Sequence, residues 1–364
     1  MPLERGAYFF SRSNLDNMRA VQFAQFGDPL YVAEVDMPQA PADGVVIEVK
    51  AAGLCRSDWH AWQGHDPDIT VMPHIPGHEF AGVVHSIGSD VAELSVGDRV
   101  VFPFVFGCGV CSWCESGNAQ VCPDQWQPGF SGPGTYAQYV AVPRAQFNAV
   151  KLPDAIPFDV AASLGCRFAT SYRAIKHVGE VQPGETVAVF GCGGIGLAAI
   201  MIAAAQGATV IAVDVNPEAL ALAYEAGASH TVNAAEENVV KAITELVPGG
   251  IDVSVDALGS VNTSRSAVEC LRAQGRHIQI GLLLPAKIGD KATIPMHLVI
   301  GRELSVLGSH GMSAATYPEM LADIASGKLD PGQFITRTID LDQVPQALAD
   351  MSNGTEPGVT IIQP

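Results

Sequence analysis

Four of the eight cysteines in this 364-residue chain lie in one short segment. Their spacing, Cys-x2-Cys-x2-Cys-x7-Cys, allows four thiolates to surround one tetrahedral zinc ion. Four thiolates leave no coordination position for water or substrate, so this zinc is expected to be structural. Two disulfides are the alternative, but disulfides persist mainly in oxidising compartments and we recognise no secretory leader. The spacing therefore predicts a structural zinc ligated by Cys108, Cys111, Cys114 and Cys122.

A second set of metal-ligating residue types is dispersed along the chain. Cys55 begins a Cys-Arg-Ser-Asp segment, His78 lies in Gly-His-Glu, and Cys166 lies in Gly-Cys-Arg. Two thiolates and one imidazole leave the fourth position of a tetrahedral zinc open, as in catalytic zinc sites. Taken singly, a cysteine is often a small buried hydrophobic residue and a histidine is often a hydrogen-bonded core residue. The combination predicts a catalytic zinc ligated by Cys55, His78 and Cys166.

A glycine-rich turn predicts a dinucleotide site. Directly after a β-branched run the chain reads Gly-Cys-Gly-Gly-Ile-Gly, with candidate cofactor contacts at Gly191, Gly193, Gly194, Ile195 and Gly196. Glycines permit a tight turn and close approach of a pyrophosphate to the N–H groups of a helix N-terminus. Asp214, about 20 residues further on, is the acid expected to bind the ribose hydroxyls. It would repel a 2′-phosphate, and residues 215–219 contain no basic residue, so NAD is favoured over NADP. The alternative is a glycine turn that has only a packing role and binds no cofactor.

The elements that must position these motifs change character near residue 155. Before it, short alternating segments such as 44–50 and 82–87 predict antiparallel strands and an irregular all-β domain. From residue 186 onward, β-branched runs at 186–190, 209–213, 252–256 and 276–280 alternate with Ala-rich helical segments. This alternation predicts an α/β domain with a doubly wound parallel sheet. A strand at 304–308, a helix around 317–326 and a last strand at 359–362 are interpreted as a return to the first domain.

Composition excludes several classes of function. Twenty basic residues against 38 acidic ones give a net charge of -18, which would repel nucleic acid. The apolar run at 197–205 is much too short to span a bilayer. The first 17 residues lack the apolar core of a signal peptide. We therefore interpret residues 1–17 as a loosely held N-terminal arm and expect a cytoplasmic protein.

Together these motifs resemble those of the medium-chain, zinc-dependent alcohol dehydrogenase family. The resemblance extends from about Met18 to the C-terminus and rests on the Cys55 segment, Gly-His-Glu, the four cysteines and the glycine turn before Asp214. It implies a GroES-like, β-rich catalytic domain that holds both zincs and a Rossmann domain that holds NAD. We assign the catalytic domain to residues 18–158 and 304–364 and the Rossmann domain to 159–303. The chain between Cys122 and Cys166 is short, which resembles a compact bacterial branch whose members are often tetramers, so a homotetramer is favoured over a dimer.

The resemblance also implies roles for single residues. Asp58 would orient the histidine ligand, and Glu79 would be the carboxylate that can approach the metal when a ligand exchanges. Ser57 and His60 would carry the proton of the alcohol to solvent. Two further positions match contacts to the cofactor pyrophosphate and to the nicotinamide ring, respectively: Arg56 and Thr170.

The expected activity is the reversible, NAD-linked oxidation of an alcohol to an aldehyde or ketone by hydride transfer from a zinc-bound alkoxide. Phe104 matches a family position that lines the substrate pocket, and Trp62 and Trp126 are candidates for its walls, which favours an apolar or aromatic alcohol. Core packing is the alternative for each of these aromatic residues. Two other functions stay open. A polyol or amino-alcohol dehydrogenase would need polar groups in the pocket. A non-catalytic NAD-binding protein would be expected to have lost at least one of Cys55, Ser57, His60, His78 and Cys166.

Overall fold

The structure is a computed structural model that describes residues 17–283, 289, 294–354 and 356–364. Residues 1–16 of the predicted arm lie outside this part, and Asn17 already belongs to the first strand. The strands of the described part are β1 (Asn17–Gln22), β2 (Tyr31–Asp36), β3 (Val45–Leu54), β4 (Phe80–Ile87), β5 (Arg99–Val101), β6 (Tyr139–Val142), β7 (Val150–Lys151), β8 (Thr186–Phe190), β9 (Thr209–Asp214), β10 (His230–Asn233), β11 (Ile251–Asp256), β12 (Leu271–Gln279), β13 (Ser305–Gly308), β14 (Ile335–Ile339) and β15 (Val359–Ile362).

Short helices connect these strands. The α-helices are α1 (Arg56–Trp62), α2 (Ser112–Glu115), α3 (Ala145–Asn148), α4 (Phe158–Ala162), α5 (Ala169–Arg173), α6 (Gly194–Ala205), α7 (Pro217–Glu225), α8 (Val239–Leu246), α9 (Val261–Glu269), α10 (Met296–Gly301), α11 (Tyr317–Ala325) and α12 (Val344–Asp350). Two π-helical turns flank α5, at Leu164–Phe168 and Ala174–Val178. Within the described ranges, no helix combines the length and apolarity that a membrane span requires.

A mixed seven-stranded sheet forms the β-rich half, in the order β14-β15-β3-β4-β5-β7, with β6 also paired to β3. β3 and β4 are antiparallel neighbours in which Ala52 faces Phe80. The end of β3 therefore lies beside the start of β4. Cys55 follows β3 directly and His78 precedes β4 by two residues, so both proposed ligands are placed at the same edge of this sheet.

A six-stranded parallel sheet forms the other half, in the order β10-β9-β8-β11-β12-β13. The strands predicted at 186–190, 209–213, 252–256 and 276–280 coincide with β8, β9, β11 and the second half of β12. All their pairings are parallel. β-branched strands alternating with apolar helices produce this arrangement because helices must cover both faces of a parallel sheet. The predicted α/β fold class is confirmed.

The position of β13 differs from the expected return to the first domain at residue 304. Its residues Ser305–Gly308 pair in parallel with Arg276–Gln279 at the edge of the six-stranded sheet. The chain rejoins the β-rich half only later, through β14 and β15. The short run at 304–308 is compatible with an edge strand of either sheet, and its pairing partner is set by tertiary packing.

The helical run from 164 to 178 packs between the two sheets. Leu164 and Tyr172 are fully buried in one apolar cluster that contains Ala81 of β4 as well as Val187 of β8. Cys166 lies on this run, so the same helix contacts the β-rich half, the parallel sheet and the dispersed metal-ligand candidates. The third ligand candidate is therefore brought to the other two by helix packing.

Candidate active site

The four cysteines of the first set come together as predicted from their spacing. The sulfur atoms of Cys108, Cys111, Cys114 and Cys122 all lie within 4.8 Å of one another. The Sγ atoms of Cys108 and Cys114 are 3.9 Å apart, and those of Cys111 and Cys122 are 3.7 Å apart. Sulfurs at the corners of a tetrahedron with Zn–S bonds of about 2.3 Å would be about 3.8 Å apart. None of these cysteines forms a disulfide. The set fits one zinc ion and fills all four of its coordination positions.

The thiols of this set differ in acidity. A hydrogen bond from the backbone N–H of Val110 lowers the pKa of the Cys108 thiol to about 7. Burial raises the pKa of Cys114 to about 12. Zinc binds thiolates, so loading this site must release protons, and Cys108 ionises more readily at neutral pH than Cys114.

The dispersed set also comes together. The donor atoms of Cys55, His78 and Cys166 lie within 4.8 Å of one another, and this catalytic cluster is buried. The hydrogen bond from Cys166 lowers the pKa of Cys55 well below the ordinary thiol range. Burial opposes this shift, and the charge of His78 supports it. A thiolate is therefore favoured at Cys55, which suits a metal ligand.

Asp58 fixes the tautomer of the histidine. The Nδ1–H of His78 donates to Oδ1 of Asp58 at 2.7 Å, and the N–H of Gly77 donates to the same oxygen at 3.1 Å. Nε2 of His78 is therefore the ring nitrogen left to bind a metal. This atom is buried and has no hydrogen-bond partner in the described part of the chain. A buried polar atom without a partner is costly, and a metal ion among the two sulfurs would satisfy it.

Tyr136 belongs to this site and was missed by the sequence analysis. Its hydroxyl donates to Oδ2 of Asp58 at 2.6 Å, while the side chain is fully buried. Burial, together with the Asp58 carboxylate, raises the pKa of Tyr136 well above that of a free tyrosine, so the hydroxyl keeps its proton. Each oxygen of Asp58 thus accepts a short hydrogen bond, one from the histidine ligand and one from Tyr136.

Glu79 lies next to His78, and its carboxylate is bound by Arg167 and by the backbone that carries Cys166. Its Oε1 accepts hydrogen bonds from the backbone N–H groups of Cys166 and Arg167, both at 3.0 Å. Its Oε2 accepts from the guanidinium of Arg167 at 2.5 Å. Burial raises the pKa of Glu79 above the ordinary carboxyl value, although Arg167 opposes this shift. Arg167 was also missed by the sequence analysis, and no local motif would have paired it with Glu79.

The predicted proton carriers lie on one face of α1. Ser57 and His60 are three residues apart, a spacing that places both side chains on the same side of a helix. Nδ1 of His60 lies 2.9 Å from Nδ1 of His65, so one ring donates and the other accepts. Arg56, by contrast, lies with its guanidinium 3.9 Å over the ring of Trp59 and donates to the carbonyl of Met351.

The glycine turn adopts the geometry that the dinucleotide motif requires. Gly191 has a φ of 95°, a conformation that residues with a side chain rarely adopt. A Cβ at Gly196 would lie 1.8 Å from the carbonyl oxygen of Gly191, so only glycine fits there. Asp214 ends β9 beside the turn, where its Oδ2 accepts from the backbone N–H of Cys192 at 2.7 Å.

The turn is also tied to the helix that carries Cys166. The hydroxyl of Ser171 on α5 donates to the carbonyl of Ile195 at 2.8 Å. Its neighbour Thr170, the proposed nicotinamide contact, is 5% exposed. The candidate cofactor residues and the catalytic cluster therefore share one helical support.

Of the three aromatic residues expected to line a pocket, Phe104 contacts the catalytic cluster. It packs in the small apolar cluster that contains Cys55 and Cys166, and its ring meets that of His78 edge to face at a centroid distance of 5.9 Å. Phe130, which the sequence analysis did not single out, meets His78 in the same way at 5.3 Å. The ring N–H of Trp62 donates to the carbonyl of Asp28.

The third aromatic candidate, Trp126, packs against Phe106 with ring centroids 5.2 Å apart. The ring of His310 also meets that of Phe104, at a centroid distance of 5.3 Å, and its Nδ1 contacts the carbonyl of Gln120. The described contacts of Trp62 and Trp126 are thus with the surrounding core, whereas those of Phe104 and Phe130 reach a ligand candidate.

Comparison with known proteins identifies the class to which this fold and site belong. Residues 41–154 match the alcohol dehydrogenase GroES-like domain, and residues 194–326 match the zinc-binding dehydrogenase domain. The chain therefore belongs to the medium-chain, zinc-dependent alcohol dehydrogenase family. It is an enzyme of the NAD-dependent zinc alcohol dehydrogenase type, and zinc and NAD are its cofactors.

Individual relatives agree with this class. An alcohol dehydrogenase from Geobacillus stearothermophilus is 36% identical over 313 residues, which cover 86% of this chain and 90% of the relative. Among solved structures, an NAD-dependent alcohol dehydrogenase is 30% identical with a TM-score of 0.86, covering 95% of this chain and all of the other. A zinc-binding dehydrogenase from Sinorhizobium meliloti 1021, solved with NADP bound, also reaches 30% identity and a TM-score of 0.86, covering 96% and 99% of the two chains.

Proposed function

We propose that this protein catalyses the reversible oxidation of an apolar or aromatic alcohol to an aldehyde or ketone, with NAD as the hydride acceptor. The observation that carries the proposal is the convergence of the donor atoms of Cys55, His78 and Cys166 to within 4.8 Å of one another. The buried Nε2 of His78 has no hydrogen-bond partner in the described chain. Three donors and one open position are the ligand set of a catalytic zinc.

Zinc held by Cys55, His78 and Cys166 would supply Lewis acidity toward the oxygen of the substrate, and bound NAD would supply the acceptor for the hydride. The residues around the cluster orient the metal ligands. Asp58 keeps the proton of His78 on Nδ1, and Glu79 fixes the backbone at Cys166 through two N–H donors. Burial of the catalytic cluster excludes water and strengthens these interactions.

Because the catalytic cluster is buried, the proton that the alcohol loses needs a route to solvent. We propose Ser57 and His60 as its carriers, with His65 as the outer partner of His60 at 2.9 Å. His60→Ala should lower kcat by about ten- to a thousandfold at neutral pH, with partial recovery in high concentrations of buffer base. A variant with an unchanged pH profile and no response to buffer would exclude this route.

The preference for an apolar or aromatic substrate rests on Phe104 and Phe130, whose ring edges meet His78. Aromatic rings bind apolar surface and leave no polar partner for additional hydroxyls. In a panel of aromatic, aliphatic and polyol substrates, kcat/KM should be highest for an aromatic or long aliphatic alcohol. Highest kcat/KM for a polyol or an amino alcohol would instead support the alternative within the same superfamily.

The test of the function itself separates binding from chemistry. Cys166→Ala removes one ligand of the catalytic cluster and leaves the glycine turn and the four-cysteine set unchanged. We expect one zinc per chain, NADH binding within a few-fold of the original protein, and loss of nearly all alcohol oxidation. Cys270→Ala is the matched control, because Cys270 is equally buried but packs in a separate apolar cluster. Substantial activity in Cys166→Ala with one zinc bound would refute the proposal.

The assembly is a separate proposal. The short interval between Cys122 and Cys166 favours a homotetramer. Light scattering after size-exclusion chromatography should give about four times the chain mass of 38.1 kDa. A mass of one or two chains would exclude the tetramer.

A further inference from the structure

We propose that Arg167 is a positioning residue that couples the glycine turn of the cofactor site to the zinc ligand Cys166. The proposal rests on the proposed function, since it assumes a zinc ion in the catalytic cluster and a dinucleotide at the turn. Arg167 follows Cys166 directly in the chain, and its side chain joins a buried carboxylate to the turn.

The first contact of Arg167 is with Glu79. Its guanidinium donates to both carboxylate oxygens, at 3.3 Å from Nε to Oε1 and at 2.5 Å to Oε2. The two side chains are 11% and 0% exposed. The same carboxylate accepts from the N–H groups of Cys166 and Arg167, so any displacement of the carboxylate moves the backbone that carries the ligand.

The second contact is with the glycine turn. A Cβ built at Gly194, the first residue of α6, would lie 2.6 Å from Cδ of Arg167. The aliphatic stem of the arginine therefore packs directly against this glycine, and a methyl group there must displace it. The adjacent Gly193 is different, because a Cβ at that position meets nothing within 4 Å and its φ is -76°.

Close packing of the Arg167–Glu79 ion pair against Gly53 limits how far the surroundings can absorb a displacement of Arg167. A Cβ at Gly53 would lie 2.5 Å from Oε2 of Glu79 and 3.0 Å from the Arg167 guanidinium, so the ion pair is held against backbone. Interiors packed at this density transmit small shifts instead of absorbing them. A buried ion pair also resists separation, since breaking it leaves an unpaired charge. A shift at Gly194 is thus transmitted through Arg167 and Glu79 to Cys166.

The test compares two alanine substitutions that differ in one contact. Zinc affinity of each cluster is measured without cofactor, by competition with a chelator in the full-length zinc-loaded protein. Gly194→Ala should weaken zinc binding at the catalytic cluster by about tenfold, the size of effect found when groups that orient metal ligands are disturbed. Gly193→Ala should leave it unchanged. Zinc in the four-cysteine set should be unaffected in both variants and serves as the internal control.

Repeating the Gly194→Ala substitution in a second variant shows whether the loss of zinc affinity depends on Arg167. In Arg167→Ala/Glu79→Gln the stem and both charges are removed together, so Gly194→Ala should add no further loss of zinc affinity. Ser171→Ala removes a different contact between the turn and this helix, the hydrogen bond to the carbonyl of Ile195. The tenfold difference between the two glycine variants should persist in that background.

Equal zinc affinity in Gly193→Ala and Gly194→Ala would overturn the proposal, and so would a full Gly194→Ala effect in the Arg167→Ala/Glu79→Gln background. If that double variant does not fold, the comparison of the two glycine variants decides alone. These outcomes differ from failure of the proposed function. An original protein that holds one zinc and oxidises no alcohol would refute the function, whereas a two-zinc, active protein with identical glycine variants would refute the coupling only.

Discussion

Replacing Asp58 by asparagine should test how the histidine ligand is oriented. The carboxylate faces donors on every side. His78 Nδ1 and the Gly77 N–H lie at 2.7 and 3.1 Å from Oδ1, and the Tyr136 hydroxyl lies at 2.6 Å from Oδ2. The Cys55 N–H is a weaker donor to Oδ2 at 3.3 Å. An amide of the same shape keeps one acceptor oxygen and places an NH2 group against the remaining donors.

The magnitude follows from these contacts. Asparagine can keep its oxygen toward His78, but it loses the negative charge that supports the imidazole as a ligand. Loss of such a carboxylate costs about 10–100-fold in metal affinity, or about 1.4–2.7 kcal/mol. Tyr136→Phe is the matched control, because it removes the other short hydrogen bond to Asp58 and leaves the carboxylate facing His78. It should cost about 1.5–3 kcal/mol of folding stability, with a much smaller loss of zinc affinity.

The assay is zinc competition against a chelator, combined with urea unfolding of the zinc-loaded protein. Asp58→Asn should lose zinc from the catalytic cluster while the four-cysteine zinc is retained, and Tyr136→Phe should lose stability before it loses zinc. Catalytic zinc affinity within twofold of the original in Asp58→Asn would refute the reasoning. Parallel loss of both zincs would also refute it, since that indicates general unfolding.

Three further predictions concern other parts of the molecule. Cys111→Ser should remove the structural zinc and lower the Tm by several degrees while NADH still binds; an unchanged Tm would show that this zinc does not stabilise the fold. Asp214→Ala should raise the ratio of kcat/KM for NADP over NAD by about tenfold or more, and equal values for both cofactors in the original protein would contradict the role of Asp214. Burial raises the pKa of Asp323, but hydrogen bonds from Tyr172 and Lys176 outweigh burial and lower it. The ionised carboxylate therefore contributes folding stability above about pH 4, and this contribution is lost as the pH falls further. Asp323→Asn should therefore be less stable than the original at pH 7 and equally stable near pH 2, as measured by urea unfolding; a constant difference would reject the linkage.

Much of the candidate site is determined by the sequence because its signals are local. The four cysteines lie within one segment whose length restricts them to a common site, and the glycine turn follows directly on β8. The strands at 186–190 and 359–362 were predicted to the residue, since a β-branched run between turn residues has few alternatives. The ligand types of the dispersed set were also evident, because Cys and His in these short motifs suit zinc.

The contacts that orient those ligands were decided only by the tertiary structure. Tyr136 reaches Asp58 across 78 positions, and Arg167 reaches Glu79 across 88. Neither pair has a periodic or local signature, since each depends on which strand ends and helices pack side by side. The same reason explains β13, whose short apolar run suits either sheet until its neighbour is known. A sequence specifies which groups can do chemistry, whereas the packing of distant segments specifies how those groups are aimed.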